Sequence, residues 1–233
     1  MKRTWLCLFF AVAFLSASTL TAQEKKAAER TITFAKGQWD ASEWTPIRLV
    51  EHSTTATFAQ KPDCIGTNSF TEEERKKHLD NVLLMVDSKT TEGEFEVEFR
   101  IGPEPGTAPG VFLSPVAKDG VVQTTICVFV ADYTMAAWMA KADPEAGKTN
   151  YTPLVRTATW QDPSKKHVVR CRYSKKSKSV VLKLDDGDAL ILRFPEYELN
   201  PFIGVWGCHG TSDFYRITIR EGGTLPWKGE APK

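Results

Sequence analysis

The chain has 233 residues, with 30 Lys and Arg against 29 Asp and Glu and a formal net charge of +1. A balance that close excludes the basic field that would recruit nucleic acid or an anionic membrane, so a neutral partner is expected. The length suits one all-β domain or two small ones.

In chain order, Lys2 and Arg3 precede an apolar run from Trp5 to Leu15, and small and hydroxylated residues follow up to Thr21, Ala22 and Gln23. This is the three-part layout of a cleavable signal peptide over residues 1–22. The run is shorter than the roughly 20 apolar residues that span a bilayer, so a retained anchor is disfavoured. Cys7 stands too early in the run for a lipoprotein signal. Export to the periplasm or the exterior is therefore expected, with no membrane attachment after cleavage. Residues 23–30 read as a charged leader, 31–225 as one β-sandwich domain and 226–233 as a tail. Four cysteines remain after cleavage, Cys64, Cys127, Cys171 and Cys208. An oxidising compartment permits two disulfides among them, while Cys127 and Cys171 lie in apolar runs where a free thiol packs equally well.

From Thr31 onward, short apolar or alternating runs recur between turn residues. Strands are predicted at 47–50, 54–58, 82–86, 93–101, 110–113, 123–131, 168–173, 180–184, 189–194, 202–206 and 214–220. The clearest is 93–101, where Phe95, Val97, Phe99 and Ile101 point one way and Glu94, Glu96, Glu98 and Arg100 the other. Asp185, Asp186, Gly187 and Asp188 predict a tight hairpin turn in which the glycine takes the positive φ. One helix is predicted over 71–80, because Thr71 and Glu74 form a capping box; a second, weaker helical stretch covers 133–142. The fold class that follows is all-β, a two-sheet antiparallel β-sandwich with one or two short helices.

The order of runs carries a resemblance. The strand 93–101, then Pro109-Gly-Val-Phe-Leu113, a strand ending at Asp132, a long excursion to Trp160, a hairpin over 168–194, Ile203-Gly-Val-Trp-Gly-Cys-His-Gly210 and Phe214-Tyr-Arg-Ile-Thr-Ile-Arg-Glu221 resemble a concanavalin A-like jelly roll. Within that superfamily the chain is similar to the 3-keto-disaccharide hydrolase family and to the laminin-G-like and family 16 glycosidase group. The resemblance covers residues 82–221, with a looser match through Lys36-Gly-Gln-Trp39 and Trp44. It implies a secreted protein that acts on carbohydrate through its concave sheet, and His209-Gly210 matches the family pattern best. Where such enzymes offer a carboxylate and an amide to the cleft, this chain has Thr125, Cys127 and Phe129.

The candidate site residues follow. Glu96 and Glu98 stand on one face of a strand with Glu94, about 6.6 Å apart at the backbone, a spacing that admits the separation of about 5 to 5.5 Å that two cooperating carboxyl groups need; the ordinary alternative is a solvent-facing polar row. His209 follows an apolar strand and can act as a base or bind a sugar hydroxyl, or serve as a turn residue. Tyr133 and Trp138 lie in the excursion, where aromatic faces can stack on pyranose rings. Asp132 and Arg156 can complete such a site, Arg156 by pairing with an acidic sugar or simply sitting at a strand edge. Trp160 and Trp206 read as core. His78 and His167 read as surface residues. Asp132, Asp143 and Asp162 can supply oxygen ligands to calcium, but no calcium-loop or zinc spacing is present, and no cofactor is otherwise expected. Asn150-Tyr-Thr152 has the N-glycosylation pattern. Three functions are open: a carbohydrate-binding domain, a hydrolase cleaving glycosides or 3-keto-glycosides, and a structural cell-surface domain.

Overall fold

A computed structural model describes residues 28–52, 55–76, 81–131, 133–159, 161–194 and 197–222. The signal-peptide reading over residues 1–22 lies outside these, as do Asp132, Trp160 and His78. The strands are β1 (Glu29–Thr33), β2 (Trp44–Ile47), β3 (Ala59–Gln60), β4 (Ile65–Gly66), β5 (Asn81–Asp87), β6 (Glu92–Ile101), β7 (Gly110–Lys118) and β8 (Val121–Ala131). They continue with β9 (Thr134–Asp143), β10 (Lys148–Ala158), β11 (His167–Ser174), β12 (Ser179–Leu184), β13 (Leu190–Arg193), β14 (Phe202–Cys208) and β15 (Ser212–Glu221). Helical structure among the described residues is limited to α1 (Glu72–Lys76) and a single 3-10 turn at Ala41–Glu43. The capping box forms as expected, with Thr71 Oγ1 accepting from the Glu74 N–H and the Glu74 carboxylate accepting from the Thr71 N–H.

Two antiparallel sheets face each other. The first runs β13-β12-β11-β6-β15-β4-β3, with β1 also on β15, and the second runs β10-β9-β8-β7-β14-β5-β2. Alternation puts Phe95, Val97, Phe99 and Ile101 of the first sheet against Ile126, Val128, Val130, Ile203 and Val205 of the second, all of them buried. Removing this much apolar surface from water is the main driving force for the fold.

Several sequence expectations need correction. β1 takes in Glu29 and Arg30, which the sequence assigns to a leader, because both pair along β15. The stretch 133–142 is no helix: Thr134–Asp143 is a strand between β8 and β10. Strand 54–58 is not formed over its described residues, and the pairing begins instead at Ala59. In the turn between β12 and β13 the positive φ belongs to Asp185 (φ 48°) and not to Gly187; Asp tolerates the left-handed region through its short polar side chain. His167 is buried, its ring nitrogens 2.8 Å from Asp185 Oδ2 and 2.9 Å from the Asp162 carbonyl. All four cysteines are free and buried, so neither disulfide forms. They pack as small hydrophobes, and burial pushes the Cys64 thiol up to about 11.

The outer face of the first sheet is a lattice of ion pairs. Glu94 lies opposite Arg172 on β11 and Arg220 on β15, with contacts of 2.6 and 3.0 Å. Glu96 bonds Arg170 and Arg220, and Glu98 bonds Arg216 and Lys166. Register makes these pairs, since Glu94, Glu96 and Glu98 each meet a basic residue on a neighbouring strand or the turn before it. Glu94 is the most enclosed, with 8% of its side chain exposed. Glu94→Gln should therefore cost about 3 kcal/mol by leaving Arg172 underpaired in a dry site. Glu43→Gln, at the exposed Arg30 pair, should cost less than about 1 kcal/mol. Urea denaturation of both variants measures the contrast.

Candidate functional site

Along the second sheet, one face is used up by the core, and the other is built from the alternate residues. Two cross-strand rows define it. The first runs Leu83, Trp206, Gly110, Phe129, Ala136 and Arg156 across β5, β14, β7, β8, β9 and β10. The second runs Met85, Gly204, Phe112, Cys127, Trp138 and Pro153 across the same strands. Glycine and alanine alternate with aromatic residues in the first row, so the aromatic rings have low ground beside them. Gly110 is needed there, because a Cβ would stand 2.7 Å from Phe129 Cδ1. Phe129 accordingly packs edge-on against Trp206, with ring centroids 4.8 Å apart. Trp206 is fully buried, and its indole N–H donates to Asn81 Oδ1 at 2.9 Å.

The low ground is a cavity of about 530 Å³. Trp206, Phe129, Ala108 and Ala136 lie at its floor, with Trp138 and Tyr151 beside them. At one end stand Glu51 and Leu49, from the loop after β2; at the other stand His209, Asn81, Thr134 and Arg156. Its size falls among small-molecule sites, which are apolar hollows carrying a few placed polar groups.

Tyr151 and Arg156 are five residues apart and would face opposite sides of a regular strand. The register of β10 slips between Pro153 and Val155: Pro153 faces Trp138, but Val155 faces Ala137 and Arg156 faces Ala136. Leu154 is the extra residue of a bulge, and it returns Arg156 to the cavity side. Arg156 Nε donates to Thr134 Oγ1 at 3.3 Å, while that hydroxyl donates to the Thr157 carbonyl at 2.9 Å. Glu51 accepts from Thr149 Oγ1 at 2.7 Å. Burial, with Cys127 and Glu51 close by, pushes the Tyr151 phenol above its ordinary range, so it stays an uncharged donor and acceptor.

His209 is exposed and sits in the left-handed region at φ 63°, on a clamped turn. The Cys208 carbonyl accepts from the Ala108 N–H at 3.0 Å, and the Gly210 carbonyl accepts from Thr67 Oγ1 at 2.5 Å. Gly210 lies so close to Thr107 that a Cβ would run into its hydroxyl. Glu104 completes the clamp, accepting from Ser69, from the Thr211 hydroxyl at 2.7 Å and from the Thr211 N–H at 3.2 Å.

Of the sequence candidates, Trp138, Arg156 and His209 meet in this cavity. Trp138 does so from a strand and not from a loop or short helix. Tyr133, 72% exposed in the β8–β9 turn, does not line it. Glu96 and Glu98 are on the outer face of the opposite sheet, each occupied by two basic groups, and so do not form an acid/base pair here. Asp143 and Asp162 are bonded within their own turns, and no group of three or more His, Cys, Asp or Glu gathers among the described residues. Sequence reasoning missed Glu51, Asn81, Phe129 and Tyr151; Trp206 is core as expected, fully buried beneath the cavity.

Solved structures share this architecture. The laminarinase from Rhodothermus marinus is 11% identical with a TM-score of 0.55, over 85% of this chain and 99% of that one. The laminarinase catalytic domain from Thermotoga maritima is 10% identical with a TM-score of 0.54, over 86% and 100%. The carbohydrate-binding module CBM66 from Bacillus subtilis is 13% identical with a TM-score of 0.51, over 74% and 91%. The fold is the concanavalin A-like jelly roll. Identities this low speak for the fold alone, and no family model or curated protein matches the chain.

The clamp on the jelly roll's His209 turn is sensitive to acid. Burial raises the Glu104 pKa, but the hydrogen bonds from Ser69 and Thr211 outweigh it and hold the group at about 2. A carboxyl lowered in the folded state contributes stability that is present above its unfolded pKa and lost as pH falls toward the folded one. Melting temperature should therefore drop between about pH 4.5 and pH 2, and Glu104→Gln should flatten that part of the profile while lowering stability at pH 7. Thermal scans across this range test both outcomes.

Proposed function

We propose that the chain is an exported carbohydrate-binding domain whose ligand lies in the cavity of the second sheet. The observation that carries this reading is Trp138, a half-buried indole on the cavity face between Ala136 and Ala140, whose small side chains leave it room. Sugar rings present C–H faces to indole and phenol while their hydroxyls seek donors and acceptors. Tyr151, Asn81, Glu51, Arg156 and His209 supply the polar groups around the same hollow. The neighbouring folds, a carbohydrate-binding module and laminarinases, support the reading by analogy.

Hydrolysis by two carboxyl groups is disfavoured, since Glu51 is the one carboxylate among the described lining residues. Proton abstraction next to a keto group needs a single base, and Glu51 and His209 keep that second reading alive.

Titration of the protein with a panel of oligosaccharides, followed by calorimetry, should give binding that falls about tenfold or more in Trp138→Ala with the melting temperature nearly kept. Binding unchanged in that variant would sink the site assignment. Incubation with 3-keto-glycosides and β-glucans should release no product; turnover lost in Glu51→Gln would move the assignment to the enzyme. Mass spectrometry of the exported chain should show Gln23 as its first residue.

A further inference from the structure

We infer that the saccharide held in this cavity is acidic and that Arg156 receives its carboxylate or sulfate group; the inference rests on the saccharide reading of the same cavity.

The argument begins with where the chain's guanidinium groups go. Arg48 donates to the backbone carbonyls of Leu49 and His52, Arg193 on the other sheet makes no ion pair among the described residues, and Arg30, Arg100, Arg170, Arg172, Arg216 and Arg220 each pair with a carboxylate. Arg156 does not: among the described residues it makes no ion pair, and its one hydrogen bond uses Nε. That bond orients the group. The Thr134 hydroxyl commits its proton to the Thr157 carbonyl, so a lone pair is what it offers to Arg156 Nε. The two terminal nitrogens are left as a planar pair of donors, the arrangement that binds an oxyanion bidentately.

Position supports the same conclusion. Arg156 is the only Lys or Arg among the described residues that line the cavity. Its row carries Phe129 and Trp206, and Trp138 follows in the next row, so an apolar platform lies beside the exposed guanidinium. The cavity's carboxylate, Glu51, is bonded to Thr149, which lies opposite Ala142, whereas Arg156 lies opposite Ala136. Six residues along β9 put the backbones of Thr149 and Arg156 about 20 Å apart, at opposite ends of the hollow. Glu51 and Arg156 make no ion pair with each other. The ligand is oriented as a result, with its acidic unit toward the β8–β9 turn and its neutral part over Trp138 and Tyr151. The near-zero net charge of the whole chain predicts a neutral partner, but Arg156, which has no ion pair among the described residues, sets the preference locally.

The test compares matched glycans by calorimetry: polygalacturonate oligomers against their methyl esters, glucuronate-containing disaccharides against the glucose equivalents, and sulfated against unsulfated oligosaccharides. Acidic members should bind about 10- to 100-fold tighter than their neutral matches, the range expected for one charge-assisted bidentate contact. Arg156→Gln should erase that margin and its salt dependence, and Arg156→Lys should restore part of it. Arg156 is exposed on an edge strand, so both variants should fold. The uronate and sulfate arms decide which oxyanion is bound. Neutral glycans binding equally well, with Arg156→Gln indistinguishable from wild type, would overturn the inference and leave the saccharide reading standing. No binding by any glycan would remove both.

Discussion

In a two-sheet sandwich each strand can bury only one of its faces against the opposite sheet, and every other feature of this molecule follows from how the second face is spent. The inner positions of both sheets are filled by branched and aromatic apolar residues from Phe95 to Ile219, which exclude water from the space between them. Alternation then hands each sheet an outer face whose character depends on the residues in between. On the first sheet those residues are glutamates on the central strand and arginines on its neighbours. They cancel one another in a connected lattice and offer nothing to a ligand. On the second sheet the intervening residues are glycine, alanine and aromatic side chains, which cannot cancel and cannot fill the curve of the sheet.

The contrast explains why the site stands where it does. A row of small and large side chains produces a hollow only when the large ones are propped, and here each is. Trp206 is tied to Asn81, Phe129 leans on Trp206 over Gly110, and Cys127 under Trp138 donates to the Trp138 carbonyl. The rim is fixed as firmly. The turn carrying His209 is held by Thr67, Ala108 and Glu104, so an exposed residue in a left-handed conformation keeps its place.

How far this could be seen in the sequence depends on what each strand faces. β6 was legible because one side meets the core and the other meets charge, giving clean alternation from Glu92 to Ile101. β9 was not, because its outer side meets an apolar cavity: Met135, Ala136, Ala137, Trp138 and Met139 form an unbroken apolar run that imitates a helix. The two-residue strands β3 and β4 are too short to show any period. The glutamates looked like a catalytic row because spacing along one strand says nothing about the arginines that register brings beside them. Trp138, Arg156 and His209 were recognisable by residue type and place. Glu51 and Asn81 come to the cavity only through tertiary packing, and Arg156 shares the face of Tyr151 only through a bulge.

That bulge links the fold to the chemistry most directly. β10 is an edge strand of eleven residues, and a long regular edge invites pairing with another chain. Pro153 removes one donor, and the extra residue at Leu154 breaks the ladder, so the same irregularity that blunts the edge also changes which residues face the cavity. Without it Tyr151 would face the cavity and Arg156 the core side, where a guanidinium would have to lose its water against Leu154 and Val155. With it the phenol, the indole opposite Pro153 and the guanidinium share one face. The residue that protects the sheet from its neighbours is thus also the one that sets a cation beside an aromatic platform.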